Sequence, residues 1–151
     1  MQILYMKEAI KEARKALKAD EVPIGAVIVK DGKIIARAHN LTESKQNATY
    51  HAEVLAINKA CKKLKSWRLI GCEIYVTAEP CAMCAGAIAN ARMDAAYFGA
   101  YESKSGCAVS KYPVLTDNGL NHSTRFTGGI EEETCAKLLK DYFKAKRKKQ
   151  S

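Results

Sequence analysis

CEIYVTAEPCAMCAGAIANAR, residues 72–92, contains the change of pattern on which the fold depends. Residues 72–77 are rich in β-branched and aromatic side chains, which is typical of a strand. Residues 82–92 are rich in small side chains, which predicts a helix that packs closely against a neighbour. Only the tight connection AEPC separates the two, so the stretch predicts a strand, a turn and a helix in immediate succession.

The flanking sequence adds a hairpin, three helices and a strand. The helices are predicted at 3–19, 51–65 and 130–147. The hairpin strands are GAVIVK and KIIARA, on either side of Asp31-Gly32. A further strand is AAYFGA (95–100). Residues 41–50 and 101–128 show no periodic pattern and are expected to be irregular. A hairpin followed by alternating strands and helices predicts one α/β domain, residues 1–151, whose mixed sheet has helices on both faces.

Hydrophobic spacing predicts which helix side chains face the core. The first helix is expected to bury Ile3, Met6, Ile10, Ala13 and Leu17, with Ala9 and Ala16 beside them. Helix 51–65 is expected to bury Val54, Ile57, Ala60, Cys61 and Leu64. The last helix is expected to bury Ile130, Cys135, Leu138, Leu139, Tyr142 and Phe143.

Composition is that of an ordinary water-soluble domain, with 48% hydrophobic and 27% charged residues among 151. No apolar run approaches the roughly 20 residues of a membrane helix, and the first residues do not follow the pattern of a secretion signal. We therefore expect a cytoplasmic protein with no membrane partner and reduced cysteines. Four scattered cysteines are expected to be small buried apolar side chains: Cys61, Cys72, Cys107 and Cys135.

Positive charge is concentrated at the end of the chain. The net charge is +9, and residues 144–151 hold five basic residues and no acidic one. A basic tail is typical of contact with nucleic acid, and it is equally typical of a solvated helix end whose cations complement the helix dipole.

The residues that carry chemistry lie at two predicted helix starts. Side chains two apart on a helix point about 200° apart, so one of His51 and Glu53 can bind a metal while the other approaches from a different side. Cys81 and Cys84 are three apart and can both reach one metal. The helix N-terminus also stabilises the thiolates that bind metals.

One histidine and two cysteines make three ligands, whereas a structural zinc site uses four. Catalytic zinc keeps three and leaves a position for water, whose pKa falls to about 7. Glu53 would take the proton of that water and deliver it to the substrate. His-x-Glu followed by Pro-Cys-x-x-Cys 30 residues from the histidine matches a known signature of zinc-dependent nucleobase deaminases.

The chain resembles the bacterial tRNA-specific adenosine deaminases of the cytidine-deaminase-like superfamily over nearly its whole length. The matching segments are EVPIGAVIV (21–29), Asn40, HAE (51–53), YVTAEPCAMCAGAI (75–88), Gly99-Ala100, KSG (104–106), Asn121-His122 and LLKDYFKAKR (138–147). The resemblance implies a three-layer α/β/α fold around a central mixed five-stranded sheet, a homodimer and a Zn²⁺ cofactor. It implies attack of zinc-bound hydroxide at C6 of the wobble adenosine in a tRNA anticodon stem-loop, which yields inosine.

The same resemblance places further residues. The target base would lie near Val22, Pro23, Asn40, Ala52 and Glu79. Contacts with RNA would come from Lys104, Ser105, Asn121, His122, Tyr142, Phe143 and Arg147. For Tyr142 and Phe143, packing in the core explains the residue type equally well.

The sequence also departs from the family and leaves alternatives open. Asn47-Ala48-Thr49-Tyr50 stands where many members have Asp-Pro-Thr-Ala, and Tyr50 is bulkier than alanine. Ala78 replaces a larger apolar residue, and Glu102 stands where some members have aspartate. A free guanine or cytosine deaminase, a non-catalytic zinc-stabilised RNA-binding module and a thiol oxidoreductase that uses the two spaced cysteines are the alternatives.

Overall fold

The computed structural model describes residues 1–120 and 122–150, with one sheet between two layers of helices. The helices are α1 (Gln2–Lys18), α2 (Thr42–Lys45), α3 (Ala52–Leu64), α4 (Ala82–Asn90) and α5 (Glu132–Gln150). The strands are β1 (Gly25–Lys30), β2 (Lys33–His39), β3 (Cys72–Ala78), β4 (Ala95–Ala100) and β5 (Arg125–Thr127).

The sheet has the order β2-β1-β3-β4-β5. Strands β2, β1 and β3 pair antiparallel, whereas β3, β4 and β5 pair parallel. Helices α1 and α5 pack on one face, and α3 packs on the other face beside α4. Because β1, β3 and β4 are covered on both faces, their sequences are continuous apolar runs. The predicted three-layer α/β/α class with a mixed five-stranded sheet is confirmed.

The hairpin turn also follows its sequence. Asp31 and Gly32 both have positive φ, 52° and 75°, which is the conformation that a two-residue turn between twisted strands requires.

The sequence patterns did not locate two short elements, because both lie in stretches predicted to be irregular; a fifth strand was implied only by the family resemblance. Helix α2 interrupts residues 41–50, and β5 interrupts residues 101–128. The backbone of α2 is held by the buried carboxylate of Glu21, which accepts hydrogen bonds from the amides of Glu43 and Ser44. Strand β5 has three residues and pairs at the sheet edge with Ala95–Tyr97. Neither element is long enough to show a periodicity.

The buried faces of the helices are rotated from the predicted ones. In α1, Ile3 and Leu17 are 54% and 40% exposed, whereas Met6, Ile10 and the alanines at 9, 13 and 16 are buried as expected. In α3 the buried residues are Ala52, Glu53, Ala56 and Ala60, while Val54 and Ile57 are half-buried. In α5 the prediction fails for Phe143, which is 44% exposed. Close approach to the sheet favours the small side chains, so the alanine faces turn inward.

The four scattered cysteines are free. Cys72, Cys107 and Cys135 are buried as predicted, and Cys61 is half-buried. Within residues 1–120 and 122–150, the structure has no helix with the length and hydropathy needed to cross a membrane.

Gly25 tests the close packing of α1. A Cβ there would lie 2.2 Å from the carbonyl oxygen of Ala9 and 2.4 Å from the nitrogen of Ala13. These are backbone atoms that cannot rotate away, so we expect Gly25→Ala to lower the free energy of unfolding by about 2–3 kcal/mol. The control is Asn58→Ala on the exposed side of α3, which should not lower the free energy of unfolding, because alanine is the better helix former. Equal urea midpoints for the two variants would contradict this packing.

Candidate active site

The predicted ligands come together at one edge of the sheet. His51 and Cys81 are the N-cap residues of α3 and α4, with extended φ of −77° and −73°. Cys84 lies one turn into α4 and is buried. Because α4 follows directly from the carboxyl end of β3 and α3 packs beside it, the two helix N-termini deliver all three side chains to one point.

The three donor atoms have the spacing of a metal site. His51 Nδ1 lies 3.6 Å from the Sγ of Cys81 and 3.6 Å from the Sγ of Cys84. All three donor atoms lie within 4.8 Å of one another. A tetrahedral zinc with Zn–N of about 2.0–2.1 Å and Zn–S of about 2.3 Å would separate nitrogen and sulfur by about 3.6 Å. The donor set therefore fits a metal ion.

The pKa values of the two cysteine thiols are shifted in opposite directions. Hydrogen bonds from Cys84 and His51 lower the pKa of Cys81 to about 4, so its thiolate dominates at neutral pH. The hydrogen bond to Cys81, together with burial, raises the pKa of Cys84, because a second negative charge beside the first is unfavourable. A divalent cation is the group that would stabilise both thiolates together.

Glu53 is a buried carboxyl next to these ligands. It lies in the first turn of α3, is 4% exposed, and hydrogen-bonds with Cys84. Burial raises the pKa of Glu53 to about 7. A carboxyl with such a pKa can both accept and donate a proton near neutral pH, which is the property of a general acid–base.

Asn40 fixes the start of α3. Its side-chain Oδ1 accepts a 2.8 Å hydrogen bond from the backbone nitrogen of Ala52, and its backbone nitrogen donates to the carbonyl oxygen of Ile24. Among the described residues, no hydrogen bond uses the amide nitrogen of the Asn40 side chain. The side chain is 5% exposed. Asn40 therefore orients the helix that carries Glu53 and keeps a donor for a bound molecule.

The side chain of Glu79 has a structural role that the sequence did not predict. Its carboxylate accepts hydrogen bonds from the backbone nitrogens of Glu102, Ala108, Val109 and Ser110, and from the Ser110 hydroxyl. Burial alone would raise the pKa of Glu79, but these hydrogen bonds outweigh it and lower the pKa. The carboxylate is engaged with the 101–110 loop, so it is not positioned as a direct contact of the base.

A groove of about 1090 Å³ lies at the same end of the sheet as Cys81 and Cys84, since its lining residue Ala100 ends β4 beside the carboxyl end of β3. One wall is the 101–105 segment that Glu79 holds, and the others come from the end of α1, α2 and α5. Its lining residues are Asp20, Val22, Glu43, Ala100, Tyr101, Glu102, Ser103, Lys104, Ser105, Ala136, Leu139, Lys140, Tyr142, Phe143, Lys146 and Arg147. The metal ligands are not among them.

Most of the residues expected to contact RNA line the groove. Lys104, Ser105, Tyr142, Phe143 and Arg147 all line it. Tyr142 is only 9% exposed and therefore also packs in the core, whereas Phe143 is 44% exposed. Of the residues expected near the base, Val22 lines the groove, whereas Pro23 and Ala52 are buried and do not line it.

One expected RNA contact, His122, is not at the groove. The ring of His122 bonds through Nε2 to the carbonyl oxygen of Met93, 2.7 Å away, next to the amino end of β4. This is the end of the sheet opposite to the metal ligands, because Cys81 follows the carboxyl end of the parallel neighbour β3. Asn121 lies outside the described residues.

Glu21 is a positioning residue that the sequence did not reveal. It is 1% exposed and binds two amides of α2, 22 and 23 residues away. Burial would raise the pKa of Glu21, but the hydrogen bonds from Ser44 and Glu43 lower it. A buried glutamate in EVPIG was visible in the sequence, but its partners were not, because they are distant in the chain.

The known proteins that this chain resembles are deaminases. The MafB19-like deaminase family model matches residues 2–147. The tRNA-specific adenosine deaminase of Bacillus subtilis (strain 168) is 51% identical over 146 residues, which is 97% of this chain and 91% of that protein. A solved structure from studies of A-to-I editing by tRNA:A34 deaminases at the wobble position has a TM-score of 0.87 and 42% identity, covering 90% of this chain and 99% of that chain. The guanine deaminase of Bacillus subtilis has a TM-score of 0.64 and 35% identity, covering 82% of each chain.

Glu79→Gln tests the role of this carboxylate in the loop. The amide group of glutamine would point a donor at backbone N–H groups that need an acceptor, so we expect the 101–110 loop to open locally. Hydrogen–deuterium exchange should become at least about 10-fold faster at the amides of 102 and 108–110. Glu133→Gln on the exposed side of α5 is the control. Unchanged protection in Glu79→Gln would show that the loop does not depend on this carboxylate.

Proposed function

The chain belongs to the tRNA-specific adenosine deaminases, and we propose that it uses a metal held by its His–Cys–Cys cluster to convert the wobble adenosine of a tRNA anticodon loop to inosine. One observation carries the proposed site: a buried glutamate lies beside three metal donors at tetrahedral spacing. A thiol oxidoreductase would need only the two cysteines. A structural metal site would have no use for Glu53.

The proposed metal is zinc. Two cysteine sulfurs and one imidazole nitrogen form a donor set that suits zinc, and three protein ligands leave one position open. The chemistry that zinc supplies in such a site is Lewis acidity, which makes water a nucleophile near neutral pH. His51, Cys81 and Cys84 would hold it.

Glu53 is the proposed proton carrier. Hydrolysis adds water at C6 of adenine, and the C6–N bond then breaks to release ammonia. We assign to Glu53 two proton transfers: one proton of the water goes to the ring nitrogen as the C6–O bond forms, and the second, from the new C6 hydroxyl, goes to the departing amine as the C6–N bond breaks. A pKa of about 7 makes both directions of transfer accessible.

Four neighbouring residues are proposed to orient the base. The side-chain nitrogen of Asn40 would donate to the base or the ribose, and Ala52 would offer its backbone at the start of α3. Val22 and Pro23 would form the apolar side of the base site. Glu79 would act through the loop that it holds, as a positioning residue.

The groove is the proposed RNA site. Tyr101 and Phe143 expose 46% and 44% of their surface there and offer faces for unstacked bases. Lys104, Lys140 and Arg147 supply charges for phosphates. An unpaired loop base costs less to splay out than a paired one, which suits an anticodon loop. We propose that the enzyme works in the cytoplasm.

We also propose that the protein is a homodimer that buries the outer side of α4. That side presents Ala82, Met83, Gly86 and Ala87, and the helix contains no charged residue. A surface helix usually carries polar residues on its solvent side, so this face is suited to a second apolar helix. The family resemblance, which implies a homodimer, supports a second copy as the occupant.

The activity is tested by an inosine assay on an anticodon stem-loop with a wobble adenosine, beside free adenine, guanine and cytosine. We expect deamination of the stem-loop alone. The likeness to a guanine deaminase makes turnover of free guanine the specific competing result. Such turnover would retain the proposed metal chemistry and overturn the RNA substrate.

Two variants separate metal binding from proton transfer. Cys84→Ala should lose zinc and activity together, because two ligands do not make a zinc site. Glu53→Gln should keep one zinc per chain while kcat falls by at least about 100-fold, since the proton carrier is lost. Zinc is measured by atomic absorption and inosine by chromatography. Ordinary turnover by Glu53→Gln, or full zinc in Cys84→Ala, would refute the assigned role.

Ala87→Glu tests the dimer surface. A buried charge in the centre of an apolar interface is strongly unfavourable, so we expect the variant to sediment as a monomer where the parent is a dimer. Ala19→Glu, at the exposed end of α1, is the control and should leave sedimentation unchanged. A dimeric Ala87→Glu protein would place the interface elsewhere.

A further inference from the structure

A second surface, at the end of the sheet opposite the metal ligands, has the character of a nucleic-acid contact. We define the Trp67 surface as Lys62, Lys63, Lys65, Trp67 and Arg68 from the 62–71 segment, with Arg92 beside them. Residues 59–71 contain five basic residues and no acidic one. We propose that this surface binds the body of the tRNA outside the anticodon loop; the inference rests on the proposed RNA substrate.

The indole of Trp67 is displayed among guanidinium groups. Trp67 is 56% exposed. The guanidinium carbons of Arg68 and Arg92 lie 4.2 Å and 5.9 Å from the centre of its ring. An exposed aromatic ring beside arginines provides both a stacking face for a base or ribose and charges for phosphates.

The segment that carries Trp67 is held in place by its backbone. Leu69 is fully buried, and its nitrogen donates to the carbonyl oxygen of Ala91 at 2.6 Å. Gly71 donates to the carboxylate of Asp94, and the Ser66 hydroxyl bridges the backbone of Arg68. A surface that is already ordered loses little conformational entropy on binding.

The cations of the Trp67 surface are not neutralised within the protein. Across residues 1–120 and 122–150, no carboxylate lies within ion-pair distance of Lys62, Lys63, Lys65, Arg68 or Arg92. Arg92 instead donates to the carbonyl oxygens of Ala89 and Asn90 at the end of α4. These cations are therefore free to pair with an anionic partner.

Charge also argues against a second copy of the chain at this surface. A symmetric contact between two copies would place each cluster of cations against the other, which is repulsive. The outer side of α4, with no charged side chain, is the better place for a copy. A polyanion satisfies the charge, and the RNA substrate is the polyanion that this enzyme meets.

The distance between the Trp67 surface and the active site indicates which part of the RNA this surface would contact. His51 caps the start of α3, and Lys65 caps its end. Thirteen helical residues span about 20 Å, so one nucleotide cannot occupy both places. The Trp67 surface would thus contact the substrate away from the deaminated loop, and an isolated stem-loop would make this contact poorly or not at all.

The test compares a full-length tRNA transcript with its own anticodon stem-loop, both with a wobble adenosine. Trp67→Ala and Lys63→Glu should each raise KM for the full-length tRNA by about 10-fold or more, and leave kcat unchanged. For the stem-loop, kcat/KM should stay within about twofold. Trp67→Phe, which keeps an aromatic face, should restore most of the affinity. Lys7→Glu on the exposed side of α1 is the charge-matched control.

The outcomes are separable from those of the proposed function. Equal losses on both substrates, or no loss on the full-length tRNA, would overturn the Trp67 surface while leaving the deaminase assignment intact. If the parent protein forms no inosine, the proposed function fails. In that case the Kd of the same transcript for parent, Trp67→Ala and Lys63→Glu proteins still decides whether this surface binds RNA.

Discussion

The site depends on the side-by-side packing of α3 and α4, whose N-termini meet at one edge of the sheet. His51 caps one helix, and Cys81 caps the other. Their donor atoms are 3.6 Å apart, so a small shift between the helices would separate a ligand from the metal. Asn40, which follows the hairpin, restrains this geometry, because its side-chain Oδ1 accepts a hydrogen bond from the first amide of α3.

Three buried glutamates show how hydrogen bonding decides the behaviour of a carboxyl. Glu21 and Glu79 each accept several hydrogen bonds from backbone amides, which lower the pKa and keep the side chain charged. Glu53 is buried without a comparable set of donors, and its pKa rises to about 7. The first two therefore hold loops around the groove, and only the third is suited to exchange protons.

Basic charge is distributed between two places with different surroundings. At the groove, cations alternate with the acidic residues Asp20, Glu43 and Glu102, and Lys146 pairs with Asp20 at 2.9 Å. On the Trp67 surface, none of the described carboxylates forms such a pair. The groove therefore combines charge with shape and aromatic faces, as a site for particular nucleotides would. The Trp67 surface presents mainly charge and one ring, as suits a phosphate backbone.

The sequence alone determined the α/β class, the long elements and the three candidate metal donors, because these follow from short-range patterns. Hydrophobic periodicity and the Asp31-Gly32 turn are local properties, and Cys81 and Cys84 share a face through helical spacing. The sequence did not show that α2 and β5 form, that the buried faces rotate toward alanines, or that Glu79 binds a loop up to 31 residues away. Only the tertiary structure decided these features, because each depends on contacts between segments distant in the chain, and such contacts leave no periodic signal in either segment.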